Sequence, residues 1–239
     1  MAYLAFDNVT VRYPVYTPRQ MSLRNQLVRI STGGRIEQES TRTQIVTALR
    51  DVSFRLNVGD RVGLIGHNGA GKSTLLRTMA GVYAPVAGRV SRTGRVATVL
   101  ELGAGLDPEL SGYENIHRMS MLLGTPRDML RTVTSDIEEF SQLGGFLDLP
   151  VRTYSAGMTT RLMFAVATST RPDILLLDEV FGAGDAEFQE RARSRLEDLI
   201  SSVGIFVFAS HDLPLLKRHC KRFLRLEHGQ LTEIGAGDF

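Results

Sequence analysis

Residues Gly66–Thr74 have the composition and spacing of a phosphate-binding loop. Their sequence, Gly-His-Asn-Gly-Ala-Gly-Lys-Ser-Thr, fits the pattern G-x-x-x-x-G-K-[ST]. A short apolar stretch before them, residues 61–65, is typical of a buried strand, and a helical pattern over residues 73–80 follows. A strand, a glycine turn and a helix N-terminus together place unpaired backbone N–H groups around one point. The pattern therefore predicts that this chain binds a nucleoside triphosphate.

The residue types in this loop each suit a role in phosphate binding. The glycines let the backbone close around the ligand without a side chain in the way. Lys72 would reach the β- and γ-phosphates, and the Ser73 hydroxyl would ligate Mg²⁺. The alternative is a glycine-rich turn in which lysine and serine fall by chance. The nucleotide-binding residues predicted here are Gly66, Asn68, Gly69, Ala70, Gly71, Lys72, Ser73 and Thr74.

Three polar residues at the ends of apolar runs would complete the site. Asp178 and Glu179 close the run that begins at residue 173, and His211 follows the run over residues 204–210. Such runs, separated by helices, indicate strands buried on both faces of a parallel sheet, where ligands bind beyond the carboxyl ends of the strands. Asp178 would hold the magnesium shell, and Glu179 would polarise the attacking water as general base. His211 would bond the γ-phosphate or hold the water in line, and a structural histidine is the alternative.

A second anion site is predicted around Ser155 and Gly157. Ser155 is typical of an N-cap, and the helix that starts there and runs to about Thr168 would present unpaired N–H groups and a partial positive charge. One nucleotide does not need two such sites in one chain. A homodimer in which each copy closes this helix terminus over the other copy's γ-phosphate accounts for both sites. An ordinary capped helix is the alternative.

The front of the chain is predicted to be rich in β-strands. Residues 3–13 indicate a first strand that ends at Pro14, and residues 46–58 indicate a half-buried strand. Tyr13, at the end of the first strand, is a candidate for stacking on the adenine ring. The alternative for Tyr13 is a packing role on an edge strand.

Residues 14–47 form a polar and basic insertion between these strands. Three apolar residues within it fall at helical spacing: Leu23, Leu27 and Ile30. A basic amphipathic helix of this kind would lie at a membrane surface or against a partner helix. The alternative is a short surface helix that packs on its own domain.

The composition is that of an ordinary globular domain, with 43% hydrophobic and 23% charged residues among 239. The formal charge of +2 is too small to imply a nucleic-acid partner, and the single cysteine, Cys220, excludes an internal disulfide and fits a reducing compartment. We expect no signal peptide, and no apolar run approaches the roughly 20 residues that span a bilayer. We expect one domain over residues 1–239, with an α-helical subdomain at about residues 107–168.

Taken together, these motifs resemble the nucleotide-binding subunit of ATP-binding cassette (ABC) transporters. The matching segments are Gly66–Thr74 (Walker A), Ile174–Glu179 (Walker B), Tyr154–Met158 (the signature), His211 (the switch histidine) and Gly184-Asp185 (the D-loop). The resemblance implies an α/β P-loop ATPase fold, with a mixed sheet core, a β-rich N-terminal subdomain and an inserted α-helical subdomain. It also implies ATP and Mg²⁺ as the bound ligands.

A narrower resemblance is to the ATPase subunits that export cell-surface polysaccharides such as O-antigen, teichoic acid, capsule or mycobacterial galactan. It is carried by Val99–Ile116, Pro150–Met158 and Gly182–Gln189, and by the long segment between Tyr13 and Val46. It implies a homodimer that hydrolyses ATP to export a lipid-linked polysaccharide, bound to two copies of a polytopic membrane permease subunit. It places the chain at the cytoplasmic face of the inner membrane as a peripheral protein, with no nucleic-acid partner.

Two segments depart from the general family, one at position 101 and one in the signature. Glu101 stands where the family has a glutamine that joins the γ-phosphate and Mg²⁺ to the coupling region, which makes Glu101 a candidate metal ligand. The signature has Ala156 and Met158 in place of a second small residue and a glutamine, whereas Ser155 and Gly157 are kept. Some O-antigen exporters carry a C-terminal carbohydrate-binding module, and we expect none in this chain.

Three other functions remain as alternatives. An importer ATPase is the nearest, and the stretch over residues 99–116 argues against it. A soluble ABC-type ATPase acting on nucleic acid or ribosomes would usually carry a second cassette or a long coiled-coil insertion, and neither is visible. A module that clamps ATP without hydrolysing it would not need Glu179.

Overall fold

The computed structural model describes residues 1–15, 44–99, 105–178, 186–235 and 237. Its strands are β1 (Tyr3–Val15), β2 (Gln44–Asn57), β3 (Arg61–Ile65), β4 (Ala87–Thr93), β5 (Val96–Val99), β6 (Ile174–Asp178), β7 (Ile205–Ala209), β8 (Arg222–Glu227) and β9 (Gln230–Ile234). Its α-helices are α1 (Lys72–Ala80), α2 (Gly112–Leu122), α3 (Leu130–Ser141), α4 (Ala156–Ala167), α5 (Ala186–Ser202) and α6 (Leu213–His219). Short 3-10 turns lie at Arg127–Met129, Gly144–Asp148 and Val151–Thr153.

The central sheet has the strand order β5-β6-β7-β3-β8-β9. Its first five strands run parallel, and β9 pairs antiparallel with β8. All residues of β6 and β7 are buried except Asp178, which is half-buried at the end of β6. Because helices and a second sheet cover its two faces, these strands are apolar throughout. The prediction of strands buried in a parallel sheet is confirmed.

A three-stranded antiparallel sheet, in the order β2-β1-β4, packs on one face of the central sheet. The predicted end of β1 at Pro14 is wrong, because the strand continues to Val15. Proline has no N–H to donate and is tolerated where a strand has a neighbour on one side only. Beyond Thr10, β1 has lost β4 and pairs with β2 alone, and Pro14 lies opposite Ile45.

Buried side chains form three clusters that match this layered arrangement. One cluster joins the antiparallel sheet, α1 and the near face of the central sheet, and Leu4, Leu64 and Leu75 are all fully buried in it. A second cluster packs α5 and α6 on the opposite face. The third lies among α2, α3 and α4 and includes Ile116 and Leu162. The helical part thus has a core of its own, although its predicted boundaries at 107–168 stay a prediction.

Local capping explains where the helices of this part begin. Ser111 caps α2 in a capping box, since its hydroxyl accepts from the Glu114 N–H while the Glu114 carboxylate accepts from the Ser111 N–H. Ser155 caps α4, and its hydroxyl accepts from the Met158 N–H at 3.2 Å. The predicted start of a helix after Ser155 is confirmed, and Thr168 is its C-cap.

None of the helices in the described part of the chain combines the length and the apolar composition that crossing a bilayer requires. The insertion falls almost entirely on residues 16–43, so Leu23, Leu27 and Ile30 lie outside the described residues.

Asn115, on α2, holds together the turn that leads into this helix. Its side chain is fully buried. Its Nδ2 donates to the carbonyls of Asp107 and Ser111, both at 2.9 Å, and of Leu110 at 3.2 Å. Its Oδ1 accepts from the Asp107 N–H at 2.8 Å. Both polar atoms of the Asn115 side chain therefore have hydrogen-bond partners in this turn.

We expect Asn115→Ala to lower the free energy of unfolding by about 3 kcal/mol, because it leaves buried backbone groups of the turn without partners. Urea denaturation followed by circular dichroism would measure the change. His117→Ala is the matched control, since His117 is exposed on the same helix and its loss should cost about 0.5 kcal/mol at most. Equal losses in the two variants would contradict the role of the buried amide.

Candidate functional site

The phosphate-binding loop joins β3 to α1 and is packed tightly between β2 and the end of β8. A Cβ at Gly71 would lie 2.7 Å from the Ala48 carbonyl oxygen of β2, and Gly71 has φ 109°. A Cβ at Gly66 would collide with the Leu226 carbonyl oxygen of β8. Glycine is thus required at both positions by the backbone that surrounds the loop.

The N-terminus of α1 faces the inside of the loop with its backbone donors. Gly71 is the N-cap and offers no side chain to cap them, and no acidic residue lies in the first turn. The first N–H groups of a helix have no partner within the helix and carry a partial positive charge. A Cβ at Gly69 would meet nothing within 4 Å, so the loop is open on that side. The arrangement suits a phosphate group.

Lys72 lies along the inside of the loop and is largely buried. Its ammonium group donates to the carbonyls of Gly66 at 2.6 Å and His67 at 3.2 Å. Its Nζ is also 3.4 Å from His211 Nε2, and the same Nε2 lies 2.8 Å from Asn68 Oδ1. The structure therefore brings His211, which is distant in sequence, together with Asn68 and Lys72 of the loop.

Ser73 and Asp178 form the second contact of the site. The Ser73 hydroxyl donates to Asp178 Oδ2 at 2.7 Å, although the two residues belong to α1 and the end of β6. Asp178 lies opposite Ala209 of β7, which places His211 at the same edge of the sheet. A hydroxyl and a carboxylate held side by side are oxygen ligands of the kind that Mg²⁺ prefers. These residues fit a magnesium ion.

A cleft of about 630 Å³ runs along the loop, a volume typical of small-molecule sites. Beside the loop residues, Asp178 and His211, its lining comes from β1, β2 and the turn between β8 and β9: Tyr13, Val46, Thr47, Ala48, His228 and Gly229. The Tyr13 side chain is 41% exposed in this cleft. Because the side chain is not buried against a core, a packing role does not account for it fully.

The sequence analysis missed His228 and Gly229 as lining residues. Both have positive φ, 48° and 78°, in the two-residue turn between β8 and β9. A glycine after a histidine, a residue enriched at positive φ, between two strand-like stretches is compatible with such a hairpin turn. The His228 ring lies 5.5 Å from the ring of His67, centroid to centroid, and this proximity depends on tertiary packing.

The predicted second anion site lies elsewhere on the chain. Ser155 is exposed, and neither it nor Gly157 lines the cleft around Lys72 in the described part of the structure. A Cβ at Gly157 would make a single ordinary contact, 3.8 Å from Ser155 Oγ. Packing within the chain thus leaves room at Gly157 for something outside it. Three further predicted elements lie outside the described residues: Glu101, Glu179 and the D-loop pair Gly184-Asp185.

A phosphate-binding loop after the third strand of a mostly parallel sheet, with a carboxylate and a histidine at the ends of β6 and β7, defines a P-loop nucleotide-binding protein. A model of the ABC transporter family matches residues 49–182. The chain belongs to the ABC transporter family, as the sequence resemblance indicated.

Three similar proteins illustrate this relationship. An O-antigen export system ATP-binding protein, RfbE of Yersinia enterocolitica, is 62% identical over 98% of both chains. An O-antigen export system ATP-binding protein, RfbB of Klebsiella pneumoniae, is 38% identical over 98% of this chain and 93% of its own. A dimeric ATP-binding cassette solved in a post-hydrolysis state with ADP and Pi has a TM-score of 0.68 at 20% identity, over 99% of this chain and 100% of its own. The last likeness confirms the predicted fold class.

We expect Gly71→Ala to destabilise the protein by at least about 1 kcal/mol more than Gly69→Ala. Both positions have positive φ, so both alanines carry the strain of the left-handed region, about 1 kcal/mol each. Gly71→Ala adds the contact with the Ala48 carbonyl, whereas the space around Gly69 is open. Urea denaturation without nucleotide would measure both. Equal losses would show that the loop does not press on β2.

Proposed function

We propose that this chain is the ATP-hydrolysing subunit of an ABC exporter that moves a lipid-linked cell-surface polysaccharide across the cytoplasmic membrane. The observation that carries the proposal is that the cleft around Lys72 belongs to a chain 62% identical, along nearly its whole length, to an O-antigen export system ATP-binding protein. The cleft supports ATP as the ligand, and the relative supports the polysaccharide as the transported substrate.

In this proposal the loop positions the triphosphate. The backbone N–H groups at the start of α1 and the Lys72 ammonium bind the β- and γ-phosphates, with Gly66, Asn68, Gly69, Ala70 and Thr74 shaping the cradle. Tyr13 stacks on the adenine at the β1 side of the cleft. Positioning and charge stabilisation supply most of the catalysis in phosphoryl transfer, so the rigid packing of this loop serves the chemistry directly.

Ser73 and Asp178 would hold the magnesium ion, as the proximity of their oxygens, 2.7 Å apart, supports. When bound, Mg²⁺ neutralises charge on the phosphate oxygens. Glu101, which lies outside the described residues, is proposed as a further ligand because of its position in the family pattern.

Glu179, which directly follows Asp178 in the sequence, is proposed as the general base. His211 is proposed to contact the γ-phosphate or the attacking water. His211 Nε2 lies 2.8 Å from Asn68 Oδ1, and this contact keeps the ring beside Lys72. Only a small movement of the His211 ring would exchange its contact with Asn68 for one with a phosphate oxygen, because His211, Asn68 and Lys72 already meet at the loop.

Two copies of the chain are proposed to form a homodimer that encloses two ATP molecules. The exposed Ser155 and the backbone at Gly157 then bind the γ-phosphate held by the other copy, because the space around Gly157 is open. Each dimer works with two copies of a polytopic permease subunit, at the cytoplasmic face of the inner membrane, and no nucleic acid takes part. Residues 14–47 are proposed to contact that permease or the lipid headgroups.

Glu179→Gln tests this function. We expect steady-state phosphate release to fall at least about 100-fold, because the general base is lost, while ATP affinity stays within about threefold. Glu139→Gln, on the exposed face of α3, is the control and should keep full activity. In cells that depend on this chain and its permease, Glu179→Gln should abolish surface polysaccharide. Hydrolysis by Glu179→Gln at the wild-type rate would contradict the role of Glu179 as general base. Normal surface polysaccharide in cells with this variant would contradict the export function.

The insertion is tested by Leu27→Glu. A charge on the predicted apolar face should reduce surface polysaccharide at least about fivefold while the ATPase rate of the purified chain stays unchanged, because a membrane or permease contact lies outside the nucleotide site. Arg24→Glu, on another face of the same predicted helix, distinguishes apolar contact from basic contact. A parallel loss of ATPase activity in Leu27→Glu would instead indicate that this face packs on its own domain.

A further inference from the structure

Two stretches of chain lie side by side near the N-terminus of α4. One, residues 108–112, leads into α2, and the other, residues 150–154, leads into α4. The Val151 N–H donates to the Leu110 carbonyl at 3.0 Å. Their other contacts are the Arg152 N–H to the Pro108 carbonyl at 2.9 Å, a β-bridge between Ser111 and Pro150, and an ion pair of 3.3 Å between Arg152 and Glu109. The starts of α2 and α4 are therefore joined through their backbones.

The hydroxyl of Tyr154 adds a side-chain link at this junction. Tyr154 directly precedes the N-cap Ser155, and its O–H donates to the Phe146 carbonyl at 2.7 Å. The backbone of Gly112, the first residue of α2, packs directly against the same oxygen. A Cβ at Gly112 would collide with this hydroxyl. One oxygen thus connects the first turn of α2, the 3-10 turn at Gly144–Asp148 and the chain that enters α4.

The Tyr154 hydroxyl keeps its proton in this position. Burial raises the pKa of Tyr154, and the neighbouring Asp148 carboxylate raises it further. The group therefore remains a hydrogen-bond donor toward Phe146 at any pH at which the protein works. Loss of the hydroxyl would remove the donor to the Phe146 carbonyl and the atom that packs against Gly112.

The stretch that Tyr154 holds comes from the nucleotide edge of the central sheet. β5 ends at Val99, which lies opposite Leu177, and the next residue of β6 is Asp178. The chain then passes through residues 100–104, outside the described part, and reaches residues 108–112. The junction with Tyr154 is thus continuous, along the chain, with the edge that carries Ser73 and Asp178.

We propose that Tyr154 is a positioning residue for the second half of the ATP site, setting where Ser155 and Gly157 stand relative to the stretch that follows β5. The tyrosine acts through its hydroxyl and does not touch the nucleotide. The proposal rests on the proposed function, since it assumes that Ser155 and Gly157 bind ATP held by the other copy. It adds to that function the side chain that holds Ser155 and Gly157 in position.

The test places Tyr154→Phe in the Glu179→Gln background, with Mg-ATP present. Analytical ultracentrifugation would give the dissociation constant of the dimer, which we expect to rise about tenfold, because the hydrogen bond from Tyr154 to the Phe146 carbonyl is lost while the ring is kept. ATP affinity of the monomer, measured with a fluorescent ATP analogue below the dimerisation range, should not change. Loss of a residue that only stabilises the fold would change the dimer dissociation constant and the ATP affinity of the monomer together.

Tyr113→Phe is the matched control. Tyr113 packs against the same helical core, where burial and then the neighbouring Glu138 carboxylate of α3 raise the pKa of its hydroxyl. We expect this variant to dimerise as well as the Glu179→Gln parent. Equal weakening in both tyrosine variants, an unchanged dimer in Tyr154→Phe, or a loss of monomer ATP affinity would each overturn the positioning role.

The parent protein separates this proposal from the proposed function. A Glu179→Gln chain that binds ATP and remains monomeric would overturn the dimeric sandwich itself, and the role of Tyr154 with it. That outcome would be seen with the Glu179→Gln parent alone, before either tyrosine is substituted. A parent that dimerises with ATP supports the sandwich, and the comparison of Tyr154→Phe with Tyr113→Phe then decides the role of Tyr154 alone.

Discussion

The site depends on how closely the backbone of the phosphate-binding loop approaches its neighbours. Gly71 lies against the Ala48 carbonyl of β2, and Gly66 lies against the Leu226 carbonyl of β8. Any side chain at these positions would push the loop away from the two strands. The loop therefore keeps its shape because two sheets hold it from both sides, and Lys72 and Ser73 inherit their positions from that packing.

The central sheet brings together residues that the sequence separates widely. Because β3, β6 and β7 run parallel, their carboxyl ends share one edge, and Ser73, Asp178 and His211 follow those ends. The apolar content of β6 and β7 has the same origin, since both faces of these strands are covered. Burial of the strands and convergence of the polar residues are two consequences of one arrangement.

The sequence predicted those parts of the site that local pattern determines. The glycine loop, the half-buried Asp178 after four buried residues and the Ser155 cap each have a signature within a few residues. The contact of His67 with His228 has no such signature, because it arises only when the β8–β9 turn packs beside the loop. The extension of β1 beyond Pro14 was missed for a similar reason. Whether proline can stay in a strand depends on which neighbours that strand has, and β4 leaves β1 before Pro14 is reached.

The hydrogen bonds of Lys72 have a consequence for the turnover of nucleotide. Its ammonium donates to the Gly66 and His67 carbonyls, and the side chain is largely shielded from bulk water. The charge is not stripped of water when a phosphate arrives, and it does not have to be rehydrated when a product leaves. The loop therefore holds this charge in place through its own fold, and a phosphate that binds there gains the attraction with little ordering of the side chain.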